Sequence, residues 1–192
     1  MKNLLSEIKK CTLCEPHLDL CANPVVTTHQ NSKIVIVGQA PGTKVHKSSI
    51  PWDDASGKQL RKWLNVSDKD FYDVNKFAII PMGFCYPGKG ISGDKPPRKE
   101  CAPKWHQSLF EKMPNVKLVI LIGMYAQNYY LKDNAKRTLT ETVDNYPAYL
   151  PKYFVLPHPS PRNRFWLTKN PCFERNVIPV LQQKIKEIIP TE

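Results

Sequence analysis

Four short apolar runs constrain this chain more than any other feature: Ile34–Val37, Phe77–Ile80, Leu118–Ile122 and Tyr153–Leu156. Each is rich in β-branched or aromatic residues, and none alternates with polar ones. A strand that is apolar throughout has both faces covered, which is the condition of a parallel sheet between helical layers. Stretches with helical period lie between the runs. Ser56–Leu64 sets Leu60, Trp63 and Leu64 on one face, with Asp54 or Ser56 as N-cap. Lys99–Met113 carries Trp105, Leu109 and Met113, and Phe173–Ile188 carries Val177, Leu181, Ile185 and Ile188. Pro179 lies inside the last stretch, so that helix either begins there or kinks. The expected fold is α/β, a three-layer α/β/α sandwich on a central, mainly parallel four-stranded sheet. Residues 1–192 read as one domain.

Ligands of such sheets bind outside the carboxyl ends of the strands. The notable motifs all follow strands: Gly38-Gln-Ala-Pro-Gly42, the segment from Gly83 to Gly90, and His158-Pro-Ser-Pro-Arg-Asn163. They are expected to converge on one crevice. The two glycines of the first turn would let backbone approach a ligand closely. Downstream, Trp52 either stacks on a flat ring or fills the core. Asp53 and Asp54 could supply a carboxylate for activating water, and capping is the role expected of Asp54. His158 sits among prolines, a rigid place for a polar group. Arg162, Asn163, Arg164, Phe165 and Trp166 interleave basic and aromatic side chains, which suits phosphate contact with base packing.

Cys11-Thr-Leu-Cys14, Cys85 and Cys101 form two pairs on either side of the first strand motif. Four thiolates suit zinc or an iron–sulfur cluster, and thiolate chemistry does not separate the two. Cys21 and Cys172 are expected to be ordinary buried thiols. The opening residues are too polar for a signal peptide, and no apolar run approaches membrane-spanning length. A reducing, cytoplasmic setting is expected, in which cysteines serve metals more often than disulfides. The formal charge of +11 favours a polyanionic partner, nucleic acid before membrane.

Taken together, Cys11/Cys14, Gly38–Gly42, Gly57-Lys-Gln-Leu, the Pro-Gly…Pro-Arg…Glu-Cys101 stretch and His158-Pro-Ser-Pro resemble the uracil-DNA glycosylase superfamily, closest to its four-cysteine, iron–sulfur branch. The resemblance runs in order over nearly the whole chain. It implies a monomeric DNA-binding hydrolase of base-excision repair that flips a deaminated base and cleaves its N-glycosidic bond. It also implies a [4Fe–4S] cluster on Cys11, Cys14, Cys85 and Cys101, with zinc as the alternative. Carried over, His158 would donate to the base oxygen, and Gly38, Gln39 and Ala40 would line the pocket. Trp52 would replace a stacking phenylalanine, Arg162 would wedge near the gap, and Ser160, Asn163 and Arg164 would accompany it on the DNA.

Two positions depart from that pattern. The first-motif acid is replaced by Gln39, which positions water but takes no proton. Asp53 is the candidate replacement. The strand position of a uracil-reading asparagine holds Pro81, which has no donor, so a base other than uracil is an open expectation. The rival reading is a catalytically silent nucleic-acid-binding protein that keeps fold and cluster.

Overall fold

The computed structural model describes residues 1–190. The four apolar runs become β1 (Ile34–Val37), β2 (Phe77–Ile79), β3 (Leu118–Ile122) and β4 (Tyr153–Leu156), paired in the order β2-β1-β3-β4 with every pair parallel. Ile36 stands opposite Ile79 on one side and Ile120 on the other. β2 stops one residue before the run does. Ile80 N donates to Ile36 O and Met82 N to Gly38 O, each at 2.9 Å, and Pro81 between them has no N–H to offer the outer edge of the sheet. On its outer edge β2 is covered by Thr27, which exchanges two backbone hydrogen bonds with Ile79.

Nine α-helices are present among the described residues: α1 (Lys2–Lys9), α2 (Thr43–Ser48), α3 (Ala55–Leu64), α4 (Asp68–Phe71), α5 (Cys101–Glu111), α6 (Met124–Leu131), α7 (Leu139–Asp144), α8 (Arg164–Lys169) and α9 (Ile178–Ile188). The pleat sends alternate strand residues to opposite faces. Val35, Val37, Val119, Leu121 and Val155 pack with Leu4 and Ile8 of α1, Trp105 and Leu109 of α5, and Ala126 and Leu131 of α6. Ile34, Ile36, Ile120, Phe154 and Leu156 pack with Leu60 and Leu64 of α3 and with Leu181 and Ile185 of α9. This is the expected three-layer sandwich. Both faces are fully sealed, so truncating Ile120 to alanine should cost about 2–5 kcal/mol.

One helix escapes the sequence pattern, and in the last one the structure decides between a start and a kink at Pro179. α6 has no clean apolar stripe because Gln127 faces inward, donating to Leu156 O at 2.9 Å and Leu121 O at 3.5 Å. Pro179 stands in the first turn of α9, and the residues before it, Phe173–Val177, form a π-helical turn. There Phe173 packs edge-on against Trp63 at 5.1 Å and Trp166 at 5.5 Å, while Glu174 accepts the Trp63 indole N–H at 3.1 Å. No helix among the described residues is long and apolar enough to cross a membrane.

Candidate active site

After β2 the chain crosses to the far side of β1 to form β3, so the segments leaving β1 and β3 diverge. A crevice opens at that switch point, as the topology requires. It encloses about 440 Å³, within the range of small-molecule sites. Gly38, Gln39, Ala40, Trp52, Pro81, His158, Ser160, Arg162 and Asn163 all line it, so the strand-end motifs do converge.

Trp52 is the side chain most carefully placed. Its backbone is left-handed, with φ 58°. A Cβ at Gly38 would lie 2.8 Å from the indole Cζ2, and one at Gly57 would run into the Trp52 carbonyl. Both glycines are therefore needed to seat this ring. Arg61, nearly buried on α3, donates to Trp52 O at 3.4 Å and pairs with Asp68 at 2.6 Å. The Tyr72 hydroxyl donates to Pro51 O at 3.1 Å. The indole lines the crevice while packing against the core beneath it, and its centroid lies 5.6 Å from the His158 ring at a 33° tilt. Burial holds His158 below the ordinary imidazole range, against the opposing charge of Asp54. The ring is therefore neutral at neutral pH. Its loop is fixed by Asn163 Nδ2, which donates to His158 O at 2.7 Å, and by Ser160 Oγ, which accepts Arg162 N at 3.2 Å.

Several expected residues are placed differently. Asp53 does not line the crevice, because its carboxylate is turned to Lys44 at 3.4 Å. Asp54 does line it while capping α3, accepting Gly57 N at 2.8 Å. Asp94, from the loop between Cys85 and Cys101, is a second crevice carboxylate and accepts the Tyr86 hydroxyl at 3.4 Å. Arg162 is not a free wedge, since Nη1 donates to Ser92 O at 3.1 Å. Arg164 is exposed at the start of α8 and does not reach the crevice. The Gln39 side-chain amide has no hydrogen bond among the described residues, whereas its backbone O accepts Gly83 N at 3.0 Å.

Behind Pro81 stands His106, which the sequence pattern did not single out. It is 2 % exposed and lies 3.1 Å from the Pro81 carbonyl and 2.6 Å from the Tyr130 hydroxyl. Its position in the second turn of α5, on the face that carries Trp105 and Leu109, reads from sequence as one more core residue. Only the tertiary contacts reveal the polar relay.

Cys11, Cys14, Cys85 and Cys101 line one small cavity with Leu18, Phe84 and Trp105. Three of them are buried, and Cys11 is half-buried. Burial pushes Cys85 up to about 11 and Cys101 up to about 12, and the neighbouring cysteines push both the same way. Such thiols keep their protons until a cation displaces them. In donor type the set fits a group held by four sulfurs. Among the described residues, no three His, Cys, Asp or Glu side chains are arranged to hold a metal ion. Cys21 and Cys172, expected to be buried, are exposed. Each lies in an irregular stretch or at a helix end, where no apolar face awaits it.

Fold and crevice together define a doubly wound α/β protein with an open crevice at the switch point, lined by an indole and a neutral imidazole. Within that class the chain belongs to the uracil DNA glycosylase superfamily, whose family model matches residues 25–182. A curated relative, the type-4 uracil-DNA glycosylase of Thermotoga maritima, is 26% identical over 163 residues, covering 83% of this chain and 81% of the relative. A solution NMR structure from Methanosarcina acetivorans, described as a candidate uracil DNA glycosylase, aligns with a TM-score of 0.48 at 15% identity, covering 83% of this chain and 94% of that one. The protein is thus DNA glycosylase-like, with DNA as its partner class.

Proposed function

We propose that the protein is a monofunctional DNA glycosylase, hydrolysing the N-glycosidic bond of a flipped, deaminated base. The observation that carries this reading is the Trp52–His158 pair, 5.6 Å apart over Gly38 at the switch point. A flat base stacks on the indole, with its edge toward the imidazole. As the bond to C1′ breaks, its electron pair stays with the base. A neutral His158 N–H then donates to the oxygen where that charge collects. A water attacks C1′ and yields its proton to the departing base or to solvent. Gln39 has both a donor and an acceptor for orienting that water or for reading the base edge. Pro81 offers neither from its side chain, which supports a base set wider than uracil.

The four cysteines would hold a [4Fe–4S] cluster. Four thiols around one cavity suit either group in donor type, and the resemblance to the four-cysteine, iron–sulfur branch favours a cluster over zinc. Bound there, the cluster would tie the N-terminal segment to the loop from Cys85 to Cys101, which forms one crevice wall.

The deciding experiment incubates cluster-loaded protein with oligonucleotides carrying uracil, hypoxanthine, xanthine or modified bases and looks for alkali-labile sites. Release of any one base supports the reading. Salt-dependent DNA affinity without release from any of them would identify a silent binding protein instead.

A further inference from the structure

Residues 88–95 fold back on themselves at the crevice rim. Lys89 and Asp94 form an antiparallel bridge, Gly90 N donates to Gly93 O at 2.6 Å, and Lys95 N donates to Gly88 O at 2.9 Å. One flank is pinned to the N-terminal segment by Asp19, which accepts Lys89 N at 3.0 Å and pairs with Lys95. The other flank is held by Arg162, whose Nη1 donates to Ser92 O and fills the space that a side chain at Gly93 would need. Ser92, Gly93 and Asp94 line the crevice. At the apex stands Ile91, completely exposed at 110%.

Single exposed apolar side chains are ordinary on protein surfaces. This one tops a turn that is clamped on both flanks and set one residue from a ligand crevice. It packs on nothing, so the fold itself does not call for an isoleucine here. Lys89, Lys95 and Arg162 stand around the turn against Asp19 and Asp94, on a chain of net charge +11. Apolar side chains presented in this way enter base steps and unstack them.

We propose that Ile91 is a wedge inserted into the base stack of duplex DNA beside the nucleotide that enters the crevice, with Arg162 as its prop. The inference rests on the glycosylase reading for its ligand, but not on catalysis. It moves the wedge from the loop after β4 to the loop between Cys85 and Cys101. The guanidinium expected to insert is engaged in holding that turn.

The test uses the full chain and a duplex with an abasic site flanked by 2-aminopurine, whose emission rises on unstacking. Wild-type protein at saturation should raise the emission. Ile91→Ala should cut the rise roughly fivefold or more, because unstacking a step must be driven by an inserted group. Ile91→Leu should restore it, and Arg162→Ala should lower it by loosening the turn. An unchanged rise in Ile91→Ala, no rise with wild type, or a loss confined to Phe165→Ala (the other prominent apolar residue, 81% exposed on α8) would each overturn the proposal. An intact emission response without base release from any substrate would defeat only the glycosylase reading.

Discussion

His106 donates its Nε2–H to the Pro81 carbonyl across 3.1 Å, while its Nδ1 accepts the Tyr130 hydroxyl at 2.6 Å. The crevice floor is therefore held from behind by a neutral imidazole, stacked on Phe84 at 5.7 Å. Burial pushes the His106 pKa down to about 4 from an ordinary 6.5.

That depression sets the direction of an acid response. As pH falls, the unfolded chain takes up the proton first. The contribution of neutral His106 is full above pH 6.5 and drains as pH falls toward 4. The loss amounts to about 3 kcal/mol over the window. His106→Asn should be less stable than wild type at neutral pH yet flatter through the window, as read from denaturant midpoints. Parallel slopes would refute the assignment.

His158→Ala removes the donor aimed at the leaving base. Base release should slow by roughly 10²–10³-fold while DNA affinity stays near wild type. A loss confined to affinity would place His158 in binding rather than in transition-state stabilisation.

Asp54 and Asp53 separate by position. Asp54→Ala deletes the α3 cap and should cost about 1 kcal/mol. It also removes the charge that props up the His158 pKa, so the acid limb of the rate profile should move to lower pH. Asp53→Asn breaks a partly exposed pair with Lys44, worth less than about 1 kcal/mol, and should hardly move the rate. A large rate loss in Asp53→Asn would show that the carboxylate swings into the crevice.

Gly57→Ala drives a methyl group into the Trp52 carbonyl, and Gly38→Ala presses on the indole. Each should destabilise the fold by about 1–3 kcal/mol and shift the tryptophan emission. Unchanged melting and emission would mean that Trp52 is not clamped.

Cys101→Ser should abolish any broad visible absorption of purified protein, whereas Cys21→Ser and Cys172→Ser should keep it, since neither reaches the four-thiol cavity. Colourless wild-type protein with stoichiometric zinc would overturn the cluster.

The sheet was legible almost to the residue because unalternating β-branched runs have few other uses. Only the end of β2 differed, by one residue, beside Pro81. α6 escaped notice because Gln127 faces inward and breaks the apolar stripe. The convergence of Gly38 and His158 followed from their places after strands, whereas Trp52 lies beyond α2 and could equally have filled the core. The choice between Asp53 and Asp54 did not, since adjacent residues point in different directions and only coordinates decide which enters the crevice. Arg162 was likewise legible as a basic residue near the DNA but not as a prop, because its partner Ser92 lies 70 positions away in sequence. His106 and Arg61 were invisible for the same reason: each acts through partners brought close by tertiary packing.

The π-helical turn at Phe173–Val177 has a consequence for chain length. A π turn holds one residue more than the helix around it needs, so it behaves as an insertion absorbed without a loop. Deleting one residue there would restore ordinary pitch and rotate everything before it by about 100° relative to α9. Phe173 would leave its place between Trp63 and Trp166, and Glu174 would release the Trp63 indole. The spacing between the crevice loop and the last helix is therefore a counted quantity, intolerant of a single-residue change that an exposed loop would absorb.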